Sequence, residues 1–427
     1  MKLLIIAPPM HPVSSTTGSS VEIAIYQIAK RISRSHEVTV LGRKGERLPA
    51  FSRRRNLTFV RVLPGNGYVR RAIRYAKKGQ FDCIQVENRP KYILDLRVHF
   101  PSTPLILVLH SFTFLDALPI EIRRTVIQQA DAIICNSHYV QEAYKRQFPD
   151  NAHKFHAIHL GVDVTRFSFP GMARKNRELS RHSLERTFNI LYAGRVVPRK
   201  GVHILIKAAG YVREKYPFVR LLIAGPCNSE KYKARLMAEA QRCRVPVRFI
   251  GPVKPHRMHK VYWLGDCFVC PTQYEEAFGL VNVEAMASRL PVIASRRGGI
   301  PEIIDEQTGI LVADYQDPAA FARAIERIIT MPTFGRVLSK GAERKAAQQF
   351  DWDNVSGSYD RFYSGLLAQG AELQLVKGES VGEAIECEEA MEPEETMPVE
   401  AGGEEEQEQA VSDLDNPAAE TGEEEEV

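Results

Sequence analysis

Seven cysteines are scattered along 427 residues, and their spacings suggest no disulfide framework. The one close pair, Cys267 and Cys270, falls in a strand-like run, where residues three apart point to opposite faces. That geometry excludes joint redox or metal work. His153, His156 and His159 are also three apart, but on the strand expected there they cannot converge on one ion. No metal site is therefore expected. Long apolar runs are missing as well, since nothing approaches the roughly 20 residues that a membrane span needs. The opening MKLLIIAPP is too short and too early broken by Pro8 for a signal peptide, and reads as a first strand. These absences lead us to expect a soluble protein of the cytoplasm. No nucleic-acid recognition module or base-stacking motif is present either, so no nucleic-acid partner is expected.

What is present is charge, unevenly placed. From Glu372 onward there are 21 acidic residues against a single lysine, Lys377, whereas the chain as a whole is formally +5. A strongly basic body therefore carries a strongly acidic tail. The body suits phosphate-bearing ligands or an anionic surface. The tail, residues 371–427, is Glu-rich and poor in apolar residues, and is expected to be disordered. The remaining length allows two domains, each with its own core.

Short apolar runs alternate with helical stretches along that body. Strands are expected at Lys2–Ala7, Glu37–Leu41, Thr58–Val62, Asp82–Val86, Leu105–Leu109, Asp131–Cys135 and Phe155–His159. A polar, basic stretch from Phe169 to Arg186 follows and reads as a linker. A second set begins near Asn189, with strands at Ile190–Ala193, Val219–Ala224, Val247–Ile250, Cys267–Cys270, Val292–Ser295 and Gly309–Val312. Alternation of this kind predicts two doubly wound parallel sheets. The expected domains are 1–170 and 187–350, the first completed by a returning helix, 353–367.

The most informative stretch is DCFVCPTQYEEAFGLVNVEAMASRLPVIASRRGGIPE, from Asp266 to Glu302. It reads as strand, polar loop, helix from Leu280 to Arg289, and strand. Ligands in such sheets sit beyond the strand C-termini. Glu276 lies on the loop and Glu284 one turn into the helix. Between them Phe278, Gly279 and Leu280 offer backbone N–H groups at a helix N-terminus, which suits phosphate. A diphosphate flanked by two hydroxyl-rich groups, each held by a carboxylate, fits this spacing.

This stretch resembles the donor-sugar site of retaining glycosyltransferases of the large family four, which have the GT-B fold. EEAFGLVNVEAMA and Gly298-Gly299-Ile300-Pro301-Glu302 carry the resemblance. One departure is Arg289, at the expected helix C-cap, where the family usually has glycine. The resemblance implies two Rossmann-like domains facing a central cleft. It also gives roles to other residues: Arg195 and Lys200, in GR-x4-KG after the Ile190–Ala193 strand, clamp the donor diphosphate. Two fixed cations offset the charge that builds on a departing nucleotide diphosphate. His110, directly after the Leu105–Leu109 strand, approaches the donor sugar. Gly18 and Ser19 lie near the donor phosphates and acceptor, although Ser19 or Ser20 also suits an ordinary helix N-cap. Ile250 lies near the nucleotide base. Asn136-Ser137 and Gly161-Val162-Asp163 match further landmarks. Glu276 then holds the sugar hydroxyls and Glu284 the ribose.

More narrowly, VENRP (Val86 to Pro90), PVKP (Pro252 to Pro255) and RRGGIPEII (Arg296 to Ile304) resemble spore-coat glycosyltransferases of endospore-forming bacteria. The implied activity is metal-independent, retaining transfer of a hexose-type sugar from a UDP- or GDP-linked donor to an acceptor hydroxyl, with no cofactor. The acceptor (glycan, lipid or protein) stays open. Implied surroundings are a spore-coat assembly or the anionic inner face of the membrane. Two other readings also stay open: a sugar-nucleotide epimerase, and a non-catalytic coat protein on the same fold.

Overall fold

The computed structural model describes residues 1–16 and 18–379. Two sheets organise it. The first holds eight strands: β1 (Lys2–Ile6), β2 (Glu37–Arg43), β3 (Phe51–Arg54), β4 (Leu57–Val62), β5 (Cys83–Glu87), β6 (Leu105–Leu109), β7 (Ala132–Cys135) and β8 (Phe155–Ala157). Their order is β3-β4-β2-β1-β5-β6-β7-β8. Every pairing is parallel except β3 with β4. The second holds β9 (Phe188–Ala193), β10 (Val219–Ala224), β11 (Val247–Gly251), β12 (Cys267–Cys270), β13 (Val292–Ser295) and β14 (Gly309–Val312), in the order β11-β10-β9-β12-β13-β14. All of its pairings are parallel.

The central strands are apolar on both faces because helices cover both sides. Leu3 to Ile6 and Leu105 to Leu109 are all essentially inaccessible. Cys267 and Cys270 enter different core clusters, one on each face of the second sheet, as period-two alternation requires. Each buried Leu or Ile of this kind contributes about 1.5–3 kcal/mol.

Three elements depart from the sequence expectations. β3 was not expected: Phe51-Ser52-Arg53-Arg54 is mostly exposed and has no apolar alternation, which is how a short charged edge strand avoids further pairing. The linker stretch contains a helix, Met172–Arg181, that presents only Leu179 as a buried apolar side chain. The returning helix runs Trp352–Glu379, past the Leu367 end expected for it. The remainder of the acidic tail lies outside the described residues.

That last helix packs against Ser20–Ile32 of the first sheet's layer. Asp353 accepts from Arg31 Nε at 3.1 Å and Arg34 Nη1 at 2.9 Å. Trp352 crosses over Gly161, where a Cβ would meet the indole ring at 2.7 Å. Only glycine allows that approach.

Candidate active site

Among its parallel strands, each sheet reverses its strand order once. In the first, β1 and β5 flank the reversal; in the second, β9 and β12 do. Loops leaving the C-terminal ends of such a strand pair diverge and leave a crevice. Lys200 follows β9 and Glu276 follows β12, so both rise beside the crevice of the second sheet.

Lys200 Nζ lies 2.5 Å from Glu276 Oε2, and both side chains are largely covered. The Tyr274 hydroxyl donates to Glu276 Oε1 at 3.0 Å. Burial alone would push the ammonium towards its neutral form, but the facing Glu276 carboxylate overrides it and holds Lys200 above its usual range. Burial acts on Glu276 in the opposite sense to its partners. Lys200, Tyr274 and Arg195 prevail and hold its carboxyl below the usual range. Arg195 thus acts on the same carboxylate, which brings three of the expected residues together.

Adjacent Glu275 has a different task. It takes Arg297 Nη2 at 2.7 Å and the Gly298 N–H at 2.7 Å. Gly298, at φ +57°, lies so close to Glu276 that a Cβ would meet the Glu276 carbonyl oxygen at 2.1 Å. The Gly-Gly turn is therefore the wall that holds the carboxylate loop in place.

Helix Leu280–Ala287 starts at Gly279, which is left-handed at φ +95°, and no side chain caps its N-terminus. Phe278 itself is buried, stacked on His159 with ring centroids 5.6 Å apart, so only its backbone faces this turn. Glu284 accepts a hydrogen bond from the Tyr262 hydroxyl at 2.8 Å. Burial pushes its carboxyl up to about 7, and the tyrosine offsets part of that rise. Leu280 and Glu284 line a cavity of about 180 Å³ together with Ile23 and Gln27 from the first sheet's layer and Val253 and Met258 from the second's. Ile250 packs on the core and does not line this cavity.

Gly18 and Ser19 precede Ser20–Ile32, one turn from Ile23. The Ser19 N–H and hydroxyl both donate to the Glu22 carboxylate, at 2.8 and 2.6 Å. Ser19 is thus committed to its own helix start. His110, after β6, places Nε2 2.7 Å from Glu87 Oε2. Its carbonyl accepts from Asn136 Nδ2 at 2.9 Å. The next residue, Ser137, faces Gly299, whose N–H donates to the Glu276 carbonyl at 2.8 Å. Short contacts therefore connect His110 to the carboxylate loop across the crevice.

A further group of metal-type ligands gathers among the described residues: His138, His159 and Glu302, with ligand atoms within 4.8 Å of one another. His153 and His156 do not join it. Glu302 Oε1 accepts the Tyr139 N–H at 2.6 Å, and Oε2 accepts the His138 N–H at 2.8 Å and lies 2.8 Å from His159 Nε2. Although burial would raise its carboxyl, these donors hold it below the usual range. The arrangement is a helix cap, supplied by the second sheet's layer to helix His138–Gln147 of the first. The sequence alone assigns no role to Tyr262, Tyr274 or Glu87 and does not predict this cap, because a tyrosine or glutamate carries no such signal until the fold supplies its partner.

The comparisons with known proteins agree with this architecture. Residues 21–166 match the family model described as Glycosyltransferase Family 4, and residues 175–345 match Glycosyl transferases group 1. Sucrose-phosphate synthase from Thermosynechococcus elongatus superposes with a TM-score of 0.74 at 22% identity, covering 86% of this chain and 100% of that one. Anabaena HepE, solved with UDP and glucose, superposes with a TM-score of 0.69 at 20% identity, again over 86% of this chain and 100% of that one. Fold and matched regions define the class: the chain is a glycosyltransferase of the GT-B fold. More particularly, it is similar to Spore coat protein SA of Bacillus subtilis (strain 168), 29% identical over 83% of this chain and 97% of that protein. Lipopolysaccharide 1,2-N-acetylglucosaminetransferase of Salmonella typhimurium is 25% identical over 84% and 97%.

Proposed function

We propose that this glycosyltransferase moves a hexose-type sugar from a nucleotide diphosphate sugar to an acceptor hydroxyl with retention of anomeric configuration and without a metal ion. The observation that carries the reading is the covered Lys200–Glu276 pair, with Arg195 acting on the same carboxylate, at the strand-order reversal of the second sheet. Lys200 and Arg195 hold the donor diphosphate, Glu276 the sugar hydroxyls, Glu284 the ribose, and His110 completes the sugar pocket. The cavity of about 180 Å³ that Leu280 and Glu284 line is smaller than the roughly 300 Å³ that ligand clefts start from, so it holds at most part of a donor.

Glu276 is neutralised by its lysine and is a poor covalent nucleophile. The economical step is therefore same-face substitution. The acceptor oxygen bonds to the anomeric carbon as the bond to the terminal phosphate oxygen breaks. The bonding pair leaves with the nucleotide diphosphate, and the acceptor proton passes to that phosphate oxygen. Two fixed cations stabilise the charge as it develops.

Similarity to Spore coat protein SA supports an acceptor in the spore coat or cell envelope. No helix among the described residues is long and apolar enough to cross a membrane. A thermal-shift screen against UDP- and GDP-linked sugars identifies the donor. Proton coupling constants of the product then test the stereochemistry: an inverted anomer overturns the same-face step.

A further inference from the structure

His110 is held from behind by a chain of buried hydrogen bonds with a fixed direction. The Tyr363 hydroxyl donates to Gln85 Oε1 at 2.6 Å. Gln85 Nε2 donates to Glu87 Oε1 at 2.6 Å. Glu87 Oε2 then lies 2.7 Å from His110 Nε2, with the two side chains only 2% and 5% exposed. Gln85 is fully buried and Tyr363 nearly so, so water does not compete for these contacts. The chain crosses from the returning helix, through β5, to the end of β6. The other ring nitrogen, His110 Nδ1, is buried and has no hydrogen-bond partner among the described residues. A buried polar atom without a partner is destabilising unless something binds it. A ligand atom is the natural complement.

An ionised carboxylate can only accept. Glu87 therefore requires the proton of the neutral imidazole to sit on Nε2, which leaves Nδ1 with a lone pair. A lone pair takes a hydroxyl proton and repels a carboxylate or phosphate oxygen. We propose that Glu87 is a positioning and specificity-determining residue: by fixing the His110 tautomer it makes Nδ1 a hydrogen-bond acceptor that selects a neutral, hydroxyl-bearing sugar over an acidic one. The tautomer follows from the Glu87 contact and the acceptor-only chemistry of a carboxylate; the sugar preference rests on the function proposed above.

The direction of the chain makes Glu87→Gln informative. Gln85 still donates to the new side-chain oxygen, so the new amide NH₂ faces His110 Nε2. That nitrogen must then accept, and the proton moves to Nδ1. The variant keeps every contact and turns the acceptor into a donor. Long-range proton–nitrogen NMR spectra of the full chain, with the His110 signals assigned by their loss in His110→Asn, read the tautomer directly. Expected is protonation on Nε2 in the parent and on Nδ1 in Glu87→Gln. The same tautomer in both proteins overturns the proposal, as does an Nδ1-protonated parent.

Competition binding of UDP-glucose against UDP-glucuronate supplies the functional arm. The ratio of their dissociation constants is expected to shift about tenfold towards the glucuronate in Glu87→Gln, the scale of one hydrogen bond. An unchanged ratio with the expected tautomer switch overturns the specificity role and leaves the tautomer intact. Failure of both sugars to bind the parent counts against the donor-site reading instead. A purely structural Glu87 predicts a lower melting temperature for the variant with neither the tautomer nor the ratio moved.

Discussion

Lowering the pH from 8 to 6 should weaken sugar-nucleotide binding about tenfold, and Glu284 should be the cause. Its carboxyl is held up to about 7 by burial, with the Tyr262 hydroxyl offsetting only part of the rise. On the proposed reading two ribose hydroxyls donate to the Glu284 carboxylate, so donor binding should favour the ionised form and pull the pKa down. At pH 6 a free group titrating near 7 is protonated in about ten molecules out of eleven. Removing that proton costs about 1.4 kcal/mol, or a factor of about ten in affinity. Above pH 8 the group is already ionised and the affinity levels off. The assay is isothermal titration calorimetry with the donor that the thermal-shift screen identifies. A sugar nucleotide is preferable to a free nucleoside diphosphate, whose terminal phosphate itself titrates in this range. Repeating the titration at pH 6 in buffers of different ionisation enthalpy should show release of close to one proton. Glu284→Gln should bind more weakly at pH 8 and lose the dependence. An affinity that is flat from pH 6 to 8 in the parent, or a slope that survives in Glu284→Gln, would refute the ribose assignment.

The same raised carboxyl has a consequence for stability. Because its folded pKa lies above its unfolded one, its stabilising contribution is complete below about pH 4.5 and is lost as pH rises to about 7, by about 3 kcal/mol. Chemical denaturation of Glu284→Gln should therefore show a shallower decline than the parent across that window, and parallel curves would contradict the assignment. A chelator should leave transfer intact; loss with EDTA that Mg²⁺ or Mn²⁺ restores would contradict the metal-free reading. Arg289→Gly should change stability by no more than about 1 kcal/mol. It relieves a left-handed residue at φ +57° but gives up the 2.7 Å contact to Glu343 and the stacking on Phe169. A loss above about 3 kcal/mol would show that the arginine does more than cap its helix. Glu302→Ala removes an acceptor from two backbone N–H groups and from His159, and should lower the melting temperature by several degrees. An unchanged melting temperature would mean that the two layers are not joined there.

Most strands were legible because parallel strands buried on both faces are short unbroken apolar runs, such as Leu105–Leu109 and Cys267–Cys270. β3 was illegible for the opposite reason, its arginines being suited to an exposed edge. Helix Met172–Arg181 was missed because its one buried leucine makes no periodicity. Glu276, Glu284, Arg195 and Lys200 stood out because each lies at a fixed offset from a strand end. Partners distant in sequence did not. Glu87 meets His110 from 23 residues away, Tyr262 meets Glu284 from 22, and Glu302 reaches His138 across 164. Arg289 shows how a departure from pattern is absorbed. The backbone of a C-terminal glycine cap is retained, with Leu290 N–H donating to the Ala285 carbonyl, and the side chain finds Glu343.

The most direct measurement is sugar transfer by the Glu276→Gln, Lys200→Met double variant. Removing both charges leaves no buried ion unpaired, so the protein should fold and melt near the parent temperature. Turnover should fall by about 10²-fold or more, the scale of losing a preorganised charge contact in a water-poor site. A folded double variant that transfers sugar at the parent rate would contradict the assignment of this pair to the donor site.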